Sequence, residues 1–169
     1  MIAPTLHTNR LTLRMPRLAD FVHHAAFHAS PRAEWEGGAK SRKATWYIWS
    51  GDVAVWALRG YGAFSVEMDG VFMGEVGIYH PDHFPGPEFG WMVTAEAEGK
   101  GIAFEAATAA LDWVRDTFDW PDITSIIDPD NARSVALGLR LGGTAVVDDA
   151  YPGIDPGDVV IRHDLRGTR

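Results

Sequence analysis

The chain is 169 residues long, enough for one domain with a real core and too short for two ordinary ones. Hydrophobic residues make up 46% and charged residues 22%, an ordinary balance for a soluble globular protein, while a formal charge of −8 argues against a nucleic-acid partner, which needs a basic surface. There is no cysteine, so a disulfide, a thiolate metal site and a cysteine nucleophile are all excluded, and any acyl transfer must use another nucleophile or pass directly from donor to acceptor.

In chain order, Arg10 to Arg14 reads as a short strand in which Leu11 and Leu13 alternate with polar residues, and Leu18 to His28 as a helix. Pro31 to Arg42 is loop-like. Lys43 to Leu58 suits a second helix, although Trp46, Tyr47, Ile48 and Trp49 suit a strand equally well. Phe64, Val66 and Met68 alternate, Asp69-Gly70 makes a hairpin turn, and Phe72, Val76 and Ile78 resume the pattern. His80 to Pro87 is a loop, and Phe89 to Val93 is a strand.

A glycine loop follows, and from it a helix runs to about Phe118 with Ala103, Ala107, Ala110, Leu111 and Val114 on its buried stripe. Ile123 to Ile127 is β-rich. Asp130-Asn131 caps a helix that Gly142-Gly143 closes. Strands at Ala145 to Val147 and Val159 to His163, separated by the loop Tyr151 to Gly157, complete the chain. This is a single mixed α/β (α+β) domain over residues 1–169 in which hairpins precede βα units. The N-terminal stretch Met1 to Arg10 lacks an apolar signal core and no run approaches membrane-spanning length, so the expectation is a cytoplasmic protein with no membrane partner.

The segment Gly90 to Phe104 carries most of the information. An apolar strand enters a glycine loop that opens a long, alanine-rich helix, and such a junction aims unpaired backbone N–H groups and a positive helix end at one spot, a site for phosphate or pyrophosphate. A Walker loop fails because Gly101 is followed by Ile102 and Ala103 rather than a lysine with Ser or Thr. A dinucleotide fingerprint fails because position 104 is Phe where a small residue is needed.

The run Glu98-Gly99-Lys100-Gly101-Ile102-Ala103 instead resembles the Gln/Arg-x-x-Gly-x-Gly/Ala acyl-CoA loop of the GNAT N-acetyltransferase superfamily. Gly99 to Ala106 is similar to the G-K-G-Y-A-T-E-A run of its ribosomal-protein N-terminal (RimJ/RimL-like) branch. Asn131-x-x-Ser134 with Leu141-Gly142 resembles that branch's N-x-x-S…L-G-F signature, and Thr8 to Arg14 with Asp20 its entry motif. The resemblance spans nearly the whole chain. It implies the GNAT fold, a mixed central sheet of about six to seven strands flanked by about four helices, and direct acetyl transfer from acetyl-CoA to a primary amine, either a protein N-terminus or a small molecule. Two departures stand out: Glu98 in place of Gln or Arg, and Gly143 in place of Phe, which is expected to loosen local packing.

The resemblance also implies site residues. The N–H groups of Gly99, Lys100, Gly101, Ile102, Ala103 and Phe104 would cradle the CoA pyrophosphate, with Glu98 turned outward. A backbone N–H near Met92 or Val93 would bond the thioester oxygen. Asn131 and Ser134 read as a helix cap and, functionally, as a pantetheine contact and a group facing the thiol. Many relatives place an acid tyrosine seven residues after that Asn; here the position is Gly138, which leaves Ser134 as the candidate acid. Glu88 is the first candidate base and Glu75 the second.

No metal is expected: His24 and His28, or His80 and His83, have ligand-like spacing but read as surface imidazoles. Trp35, Trp46, Trp49 and Trp56, with Glu34 and Glu36, fall in the region that lines the family's acceptor pocket, although each tryptophan suits the core as well. Two rival functions are a non-catalytic acyl-CoA-binding scaffold of the same fold and a nucleotide-binding module. A small mixed sheet with exposed terminal strands often dimerises, so a homodimer is also an expectation.

Overall fold

A computed structural model describes residues 3–146 and 157–167. Its eight strands are β1 (Leu6–His7), β2 (Thr12–Arg14), β3 (Ala63–Met68), β4 (Val71–Tyr79), β5 (Glu88–Val93), β6 (Asp122–Ile127), β7 (Thr144–Val146) and β8 (Val159–Asp164). They form one sheet in the order β1-β2-β3-β4-β5-β6-β8-β7, antiparallel throughout except for the parallel pair β5–β6. The four α-helices are α1 (Phe21–His28), α2 (Arg42–Arg59), α3 (Ile102–Thr117) and α4 (Ala132–Arg140).

The expected order of elements holds, with one strand more than expected because Leu6–His7 pairs with β2. The ambiguous tryptophan-rich segment is helical: Ser41 accepts from the Ala44 N–H at its start, and Gly60 ends it in the left-handed region. Pro31–Glu36, read as loop, forms a 3-10 helix capped by Ser30. Val147 and most of the Tyr151 to Gly157 loop lie outside the described residues.

The helices divide between the faces of the sheet. α3 buries Ile102, Ala106, Ala107, Ala110, Leu111 and Val114 against Phe64, Val66, Val76, Ile78 and Phe89. Its alanines let the helix axis come close, and each buried Ile, Leu or Val contributes about 1.5–3 kcal/mol. α1 and α2 pack on the other face, where Phe21, Ala25 and Trp49 form a small core of their own. The entry motif is a structural lock. Arg14 donates to both oxygens of Asp20 (2.8 and 2.9 Å) and to Glu67, while Ser65 and the Arg17 N–H also donate to Asp20. Arg10 and Thr8 tie the N-terminal segment to Glu105 on α3.

Candidate active site

The site begins where the sheet opens. β5 and β6 are in register at Glu88↔Thr124 and then part. Antiparallel pairing alternates which residues bond their neighbour. Thr94 N donates to Met73 O, and Val93 lies opposite Gly74, so Met92 shares its N–H and C=O with Glu75 on β4. Val93, Trp91 and Phe89 therefore turn theirs toward the gap beside β6. Two contacts agree with that parity: Ser125 Oγ donates to the Phe89 carbonyl (2.6 Å), and Arg32 Nη2 donates to the Val93 carbonyl (2.9 Å).

On the α3 and α4 side of the gap lies a groove of about 260 Å³, lined by Met92, Val93, Glu98, Gly99, Gly101 to Phe104, Ser134 and three arginines, Arg32, Arg133 and Arg140. Gly99 and Gly101 both have left-handed backbones (φ 69° and 73°), a conformation that only glycine adopts without strain. Gly101 is the N-cap of α3 and has no side chain to cap it, so the first-turn N–H groups of Ile102, Ala103 and Phe104 face the groove without a side-chain partner.

Glu98 does not turn outward. It bridges Arg32 (2.8 Å) and Arg133 (2.9 Å), holding two guanidinium groups over the groove, and Arg140 stacks 4.0 Å above the Phe104 ring. A carboxylate anchored between two arginines leaves a net positive rim, so the departure at position 98 does not make the loop repel an anion.

Asn131 caps α4, its side-chain oxygen accepting from the Ser134 N–H (3.2 Å). Ser134 Oγ accepts from Trp91 Nε1 (3.3 Å), and its own proton has no acceptor among the described residues. Gly138 packs against β8: a Cβ there would lie 2.7 Å from Ile161 Cδ1, so any side chain at that position would have to displace the buried Ile161. Gly143 likewise has no room for a side chain, because a Cβ would run into Ile161 and the Gly138 carbonyl. The packing there is tight, contrary to expectation.

On the opposite side of the gap a cavity of about 610 Å³ shares Phe27, Glu36, Trp91 and Met92 with the groove. Glu75 lies in it opposite Met92 and is only 3% exposed. Tyr79 donates to its Oε1 (2.9 Å), and His24 Nε2 stands 3.2 Å from its Oε2 without the alignment of a hydrogen bond. Burial and the neighbouring carboxylates hold the Tyr79 phenol well above its ordinary pKa. Glu88 occupies the far end of the cavity, where burial, assisted by Asp158, pushes its pKa up to about 7. Asp52 on α2 is also pushed up to about 7, by burial and then by the charge of Glu75.

Of the histidines read as surface imidazoles, His83 is exposed and His80 and His28 are half-buried, but His24 is not at the surface. His24 is buried against Glu75, and burial drives the His28 pKa down to about 4. No group of three potential metal ligands occurs among the described residues. Trp49 and Trp56 are core, while Trp35 lines the groove; the aromatic walls of the larger cavity are Phe27, Tyr47, Tyr79, Phe84, Phe89 and Trp91. Asp52 and Arg32 carried no motif in the sequence, because each acquires its place only when α2 or the 3-10 helix folds over the sheet. Tyr79 was within reach of a pattern reading, since residues four apart on a strand share a face.

Residues 10–144 match the model of the acetyltransferase (GNAT) domain. The chain belongs to the GNAT acetyltransferase family. The GNAT domain is an acetyl-CoA-dependent enzyme that transfers acetyl to amines, and its sheet and helices are those of the fold. An acetyltransferase from Agrobacterium tumefaciens is 39% identical, with 96% of this chain and 95% of that one covered and a TM-score of 0.89. A GNAT-family acetyltransferase from Bacillus anthracis shares the fold at 16% identity (97% and 100% covered, TM-score 0.76). So does RimL, a ribosomal α-N-protein acetyltransferase solved in complex with coenzyme A (15% identity, 95% and 98% covered, TM-score 0.72).

Proposed function

We propose that this GNAT domain binds acetyl-CoA in the arginine-rimmed groove and acetylates a primary amine that enters from the larger cavity, at the gap between β5 and β6. The observation that carries this reading is the meeting of the two cavities at Trp91 and Met92, with the Val93 N–H turned into the gap between them. The pyrophosphate rests on the N–H groups of Gly99 to Phe104, which supply an uncapped helix N-terminus, with Arg32 and Arg133 as charged flanks. The Asn131 amide lies beside the pantetheine arm.

The thioester oxygen accepts from the Val93 N–H. Of the two residues considered from sequence, Val93 has the right parity and Met92 does not, because the Met92 N–H is committed to β4. The amine nitrogen attacks the carbonyl carbon, the N–C bond forms, and the C–S bond breaks. An ammonium substrate loses two protons: one passes to a base, and one ends on the sulfur. A base must come within hydrogen-bond reach of the nitrogen. Glu75 is the cross-strand partner of Met92, whereas Glu88 stands four residues further along β5, roughly 14 Å away at 3.4 Å per residue. We therefore assign the base to Glu75, with Tyr79 holding it, and reserve Glu88 for binding. Ser134, oriented by Trp91, donates to the departing thiolate.

The acceptor is a small amine or a protein N-terminus, as in RimL. The cytoplasm, where acetyl-CoA is used, is the setting we assign, and the short edge strands β1 and β7 are the places where two copies would pair. Thiol release from acetyl-CoA across an amine panel tests the reading. Glu75→Gln is expected to lower kcat by about 10²–10⁴-fold, the range of general-base catalysis. A Glu75→Gln enzyme of wild-type kcat and pH profile would move the base elsewhere.

A further inference from the structure

The larger cavity has a charge pattern more specific than an amine alone requires, and the following rests on that cavity being the acceptor site. It is lined by Glu36, Asp52, Glu75 and Glu88. The first three form one group: Asp52 feels both Glu75 and Glu36. Glu88 is separate, opposite Tyr79 in the β4–β5 register while Glu75 is opposite Met92, so the two negative centres are roughly 14 Å apart along the strands.

The cations that face them are fewer than the four carboxylates: Lys40 acts on Glu36, and His24 stands 3.2 Å from Glu75 and also acts on Asp52. Lys40 Nζ donates to the backbone carbonyls of Glu36 and Gly38, and His28 is neutral at physiological pH. Glu75 is nearly completely buried, yet its Oε2 has no hydrogen-bond donor among the described residues. Only His24 stands beside that oxygen, out of hydrogen-bond alignment, so a cationic donor entering the cavity can supply the bond it lacks.

We propose that the acceptor is a long, flexible amine with a second positive charge, its reacting nitrogen beside Glu75 and its distal cation at Glu88. Tyr47, Tyr79 and Phe84 also line the cavity, and such aromatic walls suit an apolar linker with cationic termini. Two sources share this chemistry: a linear diamine or longer oligoamine, and a peptide N-terminus followed by a basic side chain. The elevated pKa values of Asp52 and Glu88, due first to burial and then to neighbouring carboxylates, support the reading, because a bound cation would relieve that repulsion.

The test is steady-state thiol release with acetyl-CoA and a matched series: alkyl monoamines, α,ω-diamines of increasing length, and a short peptide with and without a lysine next to its free N-terminus. Long diamines, or the lysine-bearing peptide, are expected to exceed their monocationic counterparts in kcat/KM by about tenfold or more, the effect of one charge-assisted contact. Whichever arm shows the larger preference identifies the source. In Glu88→Gln that ratio is expected to collapse toward one. The wild-type ratio should also shrink with added salt, a readout that needs no variant. Equal kcat/KM for monoamines and diamines, or a ratio that survives in Glu88→Gln, overturns the dication reading and leaves the acetyltransfer reading intact. Thiol release with none of these amines overturns both.

Discussion

Ser125 and Phe89 are joined across the opening of the sheet: the Ser125 hydroxyl donates to the Phe89 carbonyl at 2.6 Å, where the β5–β6 ladder has just ended. The same oxygen lies 3.0 Å from His163 Nε2. Because Ser125 has spent its one proton on Phe89, the contact with His163 requires Nε2 to carry the hydrogen and donate. Burial lowers the His163 pKa to about 4, which keeps the ring neutral. The hydroxyl thus replaces a missing ladder bond at the point from which β5 runs on to Val93.

Ser125→Ala leaves two buried polar groups without partners. The expected cost is about 1–3 kcal/mol. For about 2 kcal/mol, a chain of this size should melt roughly 4–8 °C lower. If the clamp also aims β5, kcat falls by about tenfold or more, since a displacement near 1 Å at a reacting centre costs that much, while the KM for acetyl-CoA changes little. Thermal melts and kinetics on the same preparation separate the effects; a lower melting point with an unchanged kcat would make the hydroxyl purely structural.

Arg32 reaches from the 3-10 helix to both the Val93 carbonyl and Glu98. Arg32→Ala is expected to raise the KM for acetyl-CoA by about tenfold, the worth of one charged hydrogen bond. Glu98→Gln is the more discriminating variant. A carboxylate that merely repelled phosphate would bind donor better once neutralised. One that anchors two arginines would bind it worse, and calorimetric titration with CoA is expected to show weaker binding.

Gly138→Ala tests the close approach of α4 to β8. In an exposed helix the change would stabilise by about 1 kcal/mol. Here the new Cβ would stand 2.7 Å from Ile161 Cδ1, and overpacking of this kind costs about 1–3 kcal/mol. Denaturant melts should show a net loss, and pairing it with Ile161→Val should recover much of it.

The histidine contribution to stability should decline as the medium is acidified below the ordinary histidine range, while Asp52 and Glu88, held near 7 chiefly by burial, contribute with the opposite sign over the same window. His28 and His163 have folded pKa values near 4, both because of burial, against an ordinary 6.5. Between these values the two histidines bind more protons in the unfolded chain than in the folded one, so their contribution to the unfolding free energy falls as pH drops from about 6.5 to about 4 and is constant below that. Denaturant midpoints of the wild type and His163→Gln measured across this window isolate the His163 contribution: the stability of the wild type relative to the variant should fall as pH drops from about 6.5 to about 4.

The glycine loop, the Asn131 cap, the hairpin and the order of strands and helices were legible in the sequence, because each follows from short-range chemistry: left-handed glycines, a side chain reaching its own helix, alternation on a strand. The GNAT resemblance rested on those same local signals, and the family match agrees with it. Three matters waited for the tertiary structure. Ladder parity decided that Val93, not Met92, faces the gap. Register decided that Glu75 stands beside Met92 while Glu88 stands at the far end. Packing of the Pro31–Glu36 turn brought Arg32 to Glu98, so that a residue read as turning away from the ligand holds two arginines over its site. Motifs record what neighbours in sequence require of one another. Which groups share a cavity depends on strand pairings and helix docking between residues dozens of positions apart, and those only the folded chain sets.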